Sequence, residues 1–343
     1  MSIGGTEKEF IFHLYLKTRK ERLEQALGVR LTDIRLEQVL EDIIPCPQLM
    51  REERGGKKKP VDMYAVDTNL SIPVLVESVL GQSNEAHQEK VRRLIRCLNA
   101  GRVVYQALSF QEKHVTELRD MVVMSGKPVQ LDFAEINPDV LPPIQHLDRL
   151  NKLDVLGNID LVDSIQTPVQ VVERVEHPLF RLIQPQPTPR LVHDLSCRKG
   201  MNQFLLEELR KNIPQFLPFH RQKTLYEQNP VIYFGAGANG LTYHCSIRDR
   251  RNRAFVELRF SEDMSYLYRL FTMKPDLLQR VDDRIRWGNN RIGCYFRSSD
   301  DIRCTVSELV TVFGRMIHEL SRPLYGLLDF EYEVKAMLKT RTA

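Results

Sequence analysis

Residues 61–87 read VDMYAVDTNLSIPVLVESVLGQSNEAH, and how this run divides decides the fold of the N-terminal half. PVDMYAV and IPVLVESVL are short, apolar and rich in β-branched residues, and DTNLS between them is built of turn-forming types. The run therefore predicts an antiparallel hairpin. Asp62 stands at the start of one strand and Glu77 near the end of its partner, a spacing that sets the two carboxylates side by side at one end of a sheet. Asp67, the fallback for Asp62, falls in the loop and points elsewhere. From Ser83, whose hydroxyl can cap free backbone N–H groups, SNEAHQEKVRRLIRCLNAG predicts a helix ended by Gly101, with His87, Val91, Leu94 and Leu98 along one stripe.

Working outward, residues 7–27 mix apolar and charged residues at helical spacing, and LTDIRLEQVLEDII predicts a second helix, stopped by Pro45 and Pro47. That helix would carry Glu37 and Glu41 one turn apart. Beyond the hairpin, RVVYQALSF is a strand, QEKHVTELRDMVVMSG a helix and PVQLDFAEIN a strand. The order α-β-β-α-β-α-β indicates an α/β fold whose sheet mixes strand directions, because the hairpin is antiparallel while the later helices make crossovers.

Three segments follow from this patterning: an N-terminal domain over 1–138, a proline-rich linker over 139–195 and a C-terminal α+β domain over 196–343. Within the linker, VQVVERV can add a strand to one of the domains. The C-terminal part reads as a helix, three strands joined by tight turns, then helix, strand and long helix. Gly235, Gly237 and Gly240 fit a nucleotide-binding G-x-G-x-x-G, but that motif needs a helix at its end to meet a pyrophosphate. LTYHCSI continues instead as an alternating strand, so a hairpin turn with Asn239-Gly240 at positive φ is the better reading.

The chain has 343 residues, 42% hydrophobic and 27% charged, with net charge +4. Its mean hydropathy is -0.33 and its pI about 8.7. This is the profile of a globular protein. No run is long and apolar enough for a membrane span, and MSIGGTEKEF lacks the features of a signal peptide, so a cytoplasmic location is expected. Six scattered cysteines without C-x-x-C argue against a zinc knuckle or redox pair, and reduced, mostly buried thiols are expected. Basic residues cluster at 57–59, 90–96 and 248–253. Each cluster taken alone is more often just a solvated surface.

Carboxylates paired at a sheet end suit Mg²⁺, which prefers hard oxygen ligands and can stabilise charge on a phosphate. VDMYAV…IPVLVESVLG resembles the D…E-x-K core of the PD-(D/E)XK nuclease fold. It is similar, more closely, to bacterial restriction-endonuclease-like proteins that read IENQLG before a helix carrying a histidine. Glu77, Leu80-Gly81 and His87 fall on that pattern, and FQEKHVTEL with His114 resembles it further on. GAGANG and RNRAFVELRF resemble the C-terminal domain of uncharacterised function in the same group. The resemblance implies a PD-(D/E)XK nuclease-like mixed sheet flanked by helices, with Asp62, Glu77 and Glu37 as metal ligands.

The departure is Val79, where the pattern expects lysine; valine stabilises neither hydroxide nor phosphate charge. Lys90, one turn beyond His87, and Lys59, just before the hairpin, are the substitutes, each also readable as an ordinary surface lysine. His87 is a catalytic candidate or a packed histidine. Two functions from different classes follow. One is a Mg²⁺-dependent DNA endonuclease with Asp62, Glu77, Lys90 and His87 in its centre. The other is a non-catalytic nucleic-acid-binding or protein-interaction subunit, with Lys57, Lys58, Lys59, Arg92, Arg93 and Arg96 on phosphates. A homodimer is an arrangement that enzymes of this fold often use.

Overall fold

Asp67 closes the hairpin at the centre of the N-terminal sheet. Its Oδ1 accepts from the backbone N–H groups of Asn69 and Leu70 at 2.9 and 3.4 Å, and its carbonyl accepts from Ser71 N–H at 2.8 Å, which fixes the turn DTNLS. In the computed structural model, strands β2 (Pro60–Asp67) and β3 (Ile72–Gln82) pair antiparallel on either side of it. The structure describes residues 4–40, 60–150, 152–184, 193–213, 229–236, 238–321 and 323–324. The chain divides into two units, Met1–Leu150 with Gly157–Leu191 and Asn151–Leu156 with Val192–Ala343.

The first unit holds a six-stranded sheet in the order β1-β2-β3-β4-β5-β6, with β1 (Leu31–Val39), β4 (Gly101–Ser109), β5 (Val129–Ile136) and β6 (Val169–Glu176). Helices α1 (Gly4–Thr18) and α2 (Lys20–Leu27) precede it. Helix α3 (Glu85–Cys97) crosses from β3 to its parallel neighbour β4, and α4 (Glu112–Met124) from β4 to the parallel β5. The expected mixture of antiparallel hairpin and parallel crossovers is present, as are helices flanking the sheet.

Several local expectations are corrected. LTDIRLEQV is not a helix but β1, paired antiparallel with β2, so Glu37 lies on a strand. Asp33 and Glu37 adopt φ of 52°, and a register shift separates Thr32 from Arg35. Pairing with the apolar hairpin buries Leu31 and Leu36, a gain that an isolated helix with this polar content does not offer. Helix α3 is capped by Asn84, whose Oδ1 accepts from His87 N–H at 3.1 Å; Ser83 Oγ accepts instead from Gln111 N–H at 2.8 Å. The helix ends at Cys97. Gly101 opens β4, where a Cβ would stand 2.8 Å from the Pro73 carbonyl oxygen.

The segment expected as a linker is largely structured. It carries α5 (Leu141–Leu147), with prolines tolerated in its first turn, and β6, which pairs antiparallel with β5. The buried Val140, Ile144, Leu147, Val162, Val169 and Val175 supply the burial that a solvated linker would lack. Residues 185–190, most of QPQPTPR, lie outside the described residues.

The second unit contains a short helix α6 (Lys152–Gly157, in part), α7 (Arg198–Asn212) and a five-stranded antiparallel sheet in the order β10-β11-β9-β8-β7. Its strands are β7 (Ile232–Gly235), β8 (Leu241–Ser246), β9 (Arg253–Phe260), β10 (Ile285–Gly288) and β11 (Arg291–Arg297). Tyr233–His244 and Gly235–Thr242 pairing makes GAGANG the expected hairpin turn. Gly240 supplies the positive φ of 81°, and Asn239 does not. The expected helix after β9 is broken at Pro275 into α8 (Ser265–Thr272) and α9 (Pro275–Val281), and RIRWG adds β10. Helices α7, α8, α9 and α10 (Ile302–Met316) share one core with the inward residues Phe234, Tyr243, Leu258 and Ile292. Of the described cysteines, Cys97, Cys245 and Cys294 are buried, while Cys197 and Cys304 are exposed.

Candidate functional site

Strand register writes three carboxylates into one row. Leu36 opposes Met63 and Gln38 opposes Val61, so Glu37 on β1 stands across from Asp62 on β2. Met63 opposes Val76, and the next step along both strands reaches Asp62 and Glu77. Directly opposed residues stand roughly 5 Å apart on one face, and like charges there repel. All three are buried, Glu77 to 1% exposure. Asp62 is fixed in place because its Oδ2 accepts from Ser78 N–H at 2.8 Å.

Two helices complete the cluster. From α1, His13 brings Nε2 to 3.8 Å from Asp62 Oδ2, and one ligand atom each from His13, Glu37 and Asp62 lie within 4.8 Å of one another. From α3, Lys90 Nζ donates to Glu77 Oε1, and His87 Nδ1 lies 2.8 Å from that same oxygen. Because Glu77 Oε1 already accepts from an ammonium, it accepts from His87 too. This puts the imidazole hydrogen on Nδ1 and leaves the lone pair on Nε2. Glu9, one turn before His13, interacts electrostatically with Asp62, His87 and Lys90.

Burial and like charge push the groups apart. The Glu77 carboxyl is held well above the usual range by desolvation first and by Asp62 second, with Lys90 opposing. Burial raises the Glu9 carboxyl as well. His87 is lowered by burial and by Lys90, so it is neutral near pH 7. Lys90 loses to desolvation but gains more from Glu77 and Asp62, so its amine is raised and stays protonated. Four carboxyl groups thus face one ammonium, and burial with like charge holds back their full ionisation; a further cation in a site of low dielectric would favour the ionised forms.

The donor set fits a divalent ion. Ligands about 2.0–2.6 Å from one ion are separated by at most roughly 4–5 Å, and His13, Glu37 and Asp62 meet that limit. An imidazole in the set departs from the all-oxygen ligation expected for Mg²⁺ and suits ions that accept nitrogen. Glu77, expected as a ligand, is not among these three; its Oε1 is committed to Lys90 and His87.

Of the residues singled out in the sequence, Asp62, Glu77, His87, Lys90 and Glu37 come together. Lys57, Lys58, Lys59 and Glu41 lie outside the described residues. Asp67 serves the turn and sits 3.7 Å from the buried Arg102. His114 Nδ1 bonds Ser83 Oγ at 3.0 Å, away from the carboxylate row. Arg92 is spent within its own surroundings, bonding Glu85 at 2.9 Å, Glu89 at 3.2 Å and Glu117 at 2.5 Å, and Arg96 pairs with Glu89 at 3.3 Å. Arg93 also has a partner. Arg92 and Arg96 are therefore paired with acids of α3 and α4.

Glu9 and His13 were missed. The signal was present in EFIFHLYL, where one acid and one histidine, four apart, interrupt a run otherwise apolar around the helix. Such residues on consecutive turns face the same way.

Comparison with protein-family models, curated proteins and solved structures finds no match. The chemistry of the site therefore carries the functional assignment.

Proposed function

We propose that the N-terminal unit is a metal-dependent phosphodiesterase acting on nucleic acid, of PD-(D/E)XK nuclease type, in which Lys90 replaces the lysine absent at Val79. The observation that carries this reading is the carboxylate row Glu37, Asp62 and Glu77 on three adjacent strands, faced by a lysine and a neutral histidine. Stacking buried acids in this way costs several kcal/mol per ion and contributes nothing to packing that apolar residues would not. A divalent cation offsets that cost. The strand order, with an antiparallel hairpin leading through α3 to a parallel strand, supports the same fold assignment.

In this reading His13, Glu37 and Asp62 hold the ion, with Mg²⁺ and Mn²⁺ the two to test. When bound, the ion supplies charge stabilisation at the phosphate and lowers the pKa of water. The remaining work falls to side chains of the chain. Lys90, the most exposed member of the Glu77 cluster, offers its ammonium to a phosphate oxygen. His87 Nε2, with its lone pair fixed by the Nδ1 contact to Glu77, can take a proton from the attacking water. Glu77 is a positioning residue for both. Asp62 is oriented by the Ser78 N–H.

The binding-subunit alternative rests on Val79 and on Lys57, Lys58, Lys59, Arg92, Arg93 and Arg96; the three lysines lie outside the described residues, and Arg92 pairs with Glu85, Glu89 and Glu117. The test is cleavage of supercoiled and linear DNA and of RNA with Mg²⁺ or Mn²⁺. Activity is expected in the wild type and is lost in Asp62→Asn and Lys90→Ala. A wild type inactive with both ions, or activity that survives Asp62→Asn, would refute the reading.

A further inference from the structure

The five-stranded sheet of the second unit buries one face under helices and leaves the other with a different composition. Alternation along the strands assigns fifteen residues outward: Tyr233 and Gly235 on β7; Thr242, His244 and Ser246 on β8; Arg253, Phe255, Glu257 and Arg259 on β9; Arg286 and Gly288 on β10; and Arg291, Gly293, Tyr295 and Arg297 on β11. The core cluster of this unit includes none of them. Five are arginines and one is an acid.

That acid is internally compensated. Glu257 is buried, accepting from the Tyr295 hydroxyl at 2.5 Å and from Arg259 Nε at 2.7 Å, with Arg291 at 3.7 Å. Arg253 pairs with Asp249 at 2.8 Å. No carboxylate pairs with Arg286 or Arg297 among the described residues, and both are exposed. The face therefore carries a net positive charge, with Ser246, Phe255 and Gly293 buried between its more exposed side chains. Gly235 and Gly288 leave open space above it, with no atom within 4 Å of where a Cβ would stand.

An aromatic platform lies on β7, at the edge of the sheet opposite β10. Tyr233 is 44% exposed and stacks on His244 at 5.7 Å between ring centroids and 29° between planes. The His244 pKa falls to about 4 through burial and the nearby Arg259, with Glu257 opposing, so the ring under the tyrosine is uncharged at neutral pH. Cross-strand pairing sets Tyr233, His244, Glu257, Gly293 and Arg286 in one row. Four interstrand gaps make this row roughly 19 Å long. The next outward row reads Gly235, Thr242, Arg259, Arg291 and Gly288.

We propose that this sheet face binds single-stranded nucleic acid, with a base stacked on the exposed part of Tyr233 and the phosphates running across the sheet toward Arg291, Arg286 and Arg297. An exposed ring gives a sequence-tolerant surface for a base, and arginines along a groove or row follow the backbone. A duplex hides its base faces and would leave Tyr233 unused. The inference does not rest on the carboxylate row, since these strands belong to the other unit.

The test uses the full chain in EDTA, so that binding is read without cleavage, with fluorescein-labelled oligothymidylate of twenty nucleotides and a duplex of equal length. The single strand is expected to bind more tightly than the duplex. Tyr233→Ala should weaken it by about 5- to 150-fold, the range spanned by one base–aromatic stack, while Tyr233→Phe retains it. Arg286→Ala with Arg297→Ala should reduce the slope of log affinity against log salt by about 0.7 for each phosphate that is no longer neutralised. Arg92→Ala, on helix α3 of the first unit, should leave binding unchanged, which separates this surface from that helix. No binding by the wild type, or equal binding by Tyr233→Ala, would overturn the proposal. So would a self-associated wild type, seen by light scattering, that Tyr233→Ala converts to monomer, because the face would then be a contact between copies of this chain. Binding without any cleavage in Mg²⁺ or Mn²⁺ would refute the nuclease reading and leave this one standing.

Discussion

The two sheets of this chain put opposite charges in opposite settings. In the N-terminal sheet the row Glu37, Asp62 and Glu77 is buried and faces one lysine; in the C-terminal sheet the side chains of Arg253, Arg259 and Arg291 are about two-fifths exposed, Arg286 and Arg297 are exposed, and the face holds one compensated acid. Buried charges interact strongly and shift one another's protonation, as the raised Glu77 and lowered His87 pKa values illustrate. Charges at the surface interact through water, and salt screens them. The first arrangement suits chemistry on a few atoms. The second suits loose contact with a long polyanion.

The comparison can be broken at its strongest point. Asp62→Asn is expected to lower cleavage by about 10²-fold or more, and Lys90→Ala by roughly 10²- to 10³-fold, measured as initial rates with Mn²⁺. Val79 is buried in the same core cluster as Leu75, Val91 and Tyr105. Val79→Lys alone should therefore destabilise the unit by bringing a second ammonium beside Lys90. Val79→Lys combined with Lys90→Ala is expected to recover part of the lost rate, since either address lets one ammonium meet Glu77. No recovery in a folded double variant would mean that the α3 position is itself required.

Next in size is cation binding without turnover. Mn²⁺ at one hundred times its Kd should stabilise the unit by about 2.7 kcal/mol, seen as a rise of roughly 5–10 °C in Tm. Glu37→Gln should remove most of that rise. An unchanged rise would take Glu37 out of the ligand set.

Arg92→Ala sharpens the contrast between the helix α3 arginines and those of the C-terminal sheet. It should cost about 0.5–1 kcal/mol by chemical denaturation, because Arg92 ties α3 to Glu117, and leave the salt dependence of oligonucleotide binding unchanged. A flatter slope would mean that α3 does meet phosphates.

The smallest effect concerns His244. Its pKa is lowered to about 4 in the folded chain from an ordinary 6.5, so the unfolded chain binds the extra proton between these values. Stability therefore rises with pH across that window and is fully gained above 6.5. After allowing for solvent screening of this half-buried ring, His244→Gln should remove about 1 kcal/mol of that pH dependence, roughly 2–4 °C between pH 4.5 and 7. Equal pH profiles in the two proteins would mean that the ring titrates normally.

Much of the N-terminal fold was legible because hairpins and crossover helices are local events. Alternation in PVDMYAV and IPVLVESVL, turn chemistry in DTNLS and the stripe on α3 are set within short windows, and they brought Asp62, Glu77, His87 and Lys90 to one place. Within the helix expected over LTDIRLEQVLEDII, Leu31–Val39 forms a strand for the converse reason. Its periodicity suits a helix, but an edge of the hairpin was available for pairing, and burial of Leu31 and Leu36 there outweighs a weak propensity. The same error hid the row of three acids, which exists only once β1 is a strand.

What the sequence by itself determined is the inventory and its local placement: two carboxylates on a hairpin, a lysine one turn from a histidine, a glycine turn that continues as a strand. Only the tertiary structure decided which charges meet. Glu9 and His13 reach the cluster from a helix nearly fifty residues before Asp62, Arg92 is neutralised by Glu117 on a neighbouring helix, and Tyr233 shares a face with Arg286 through three intervening strands. Coulomb energies depend on distance and burial, and both are fixed by packing between elements rather than by spacing along the chain.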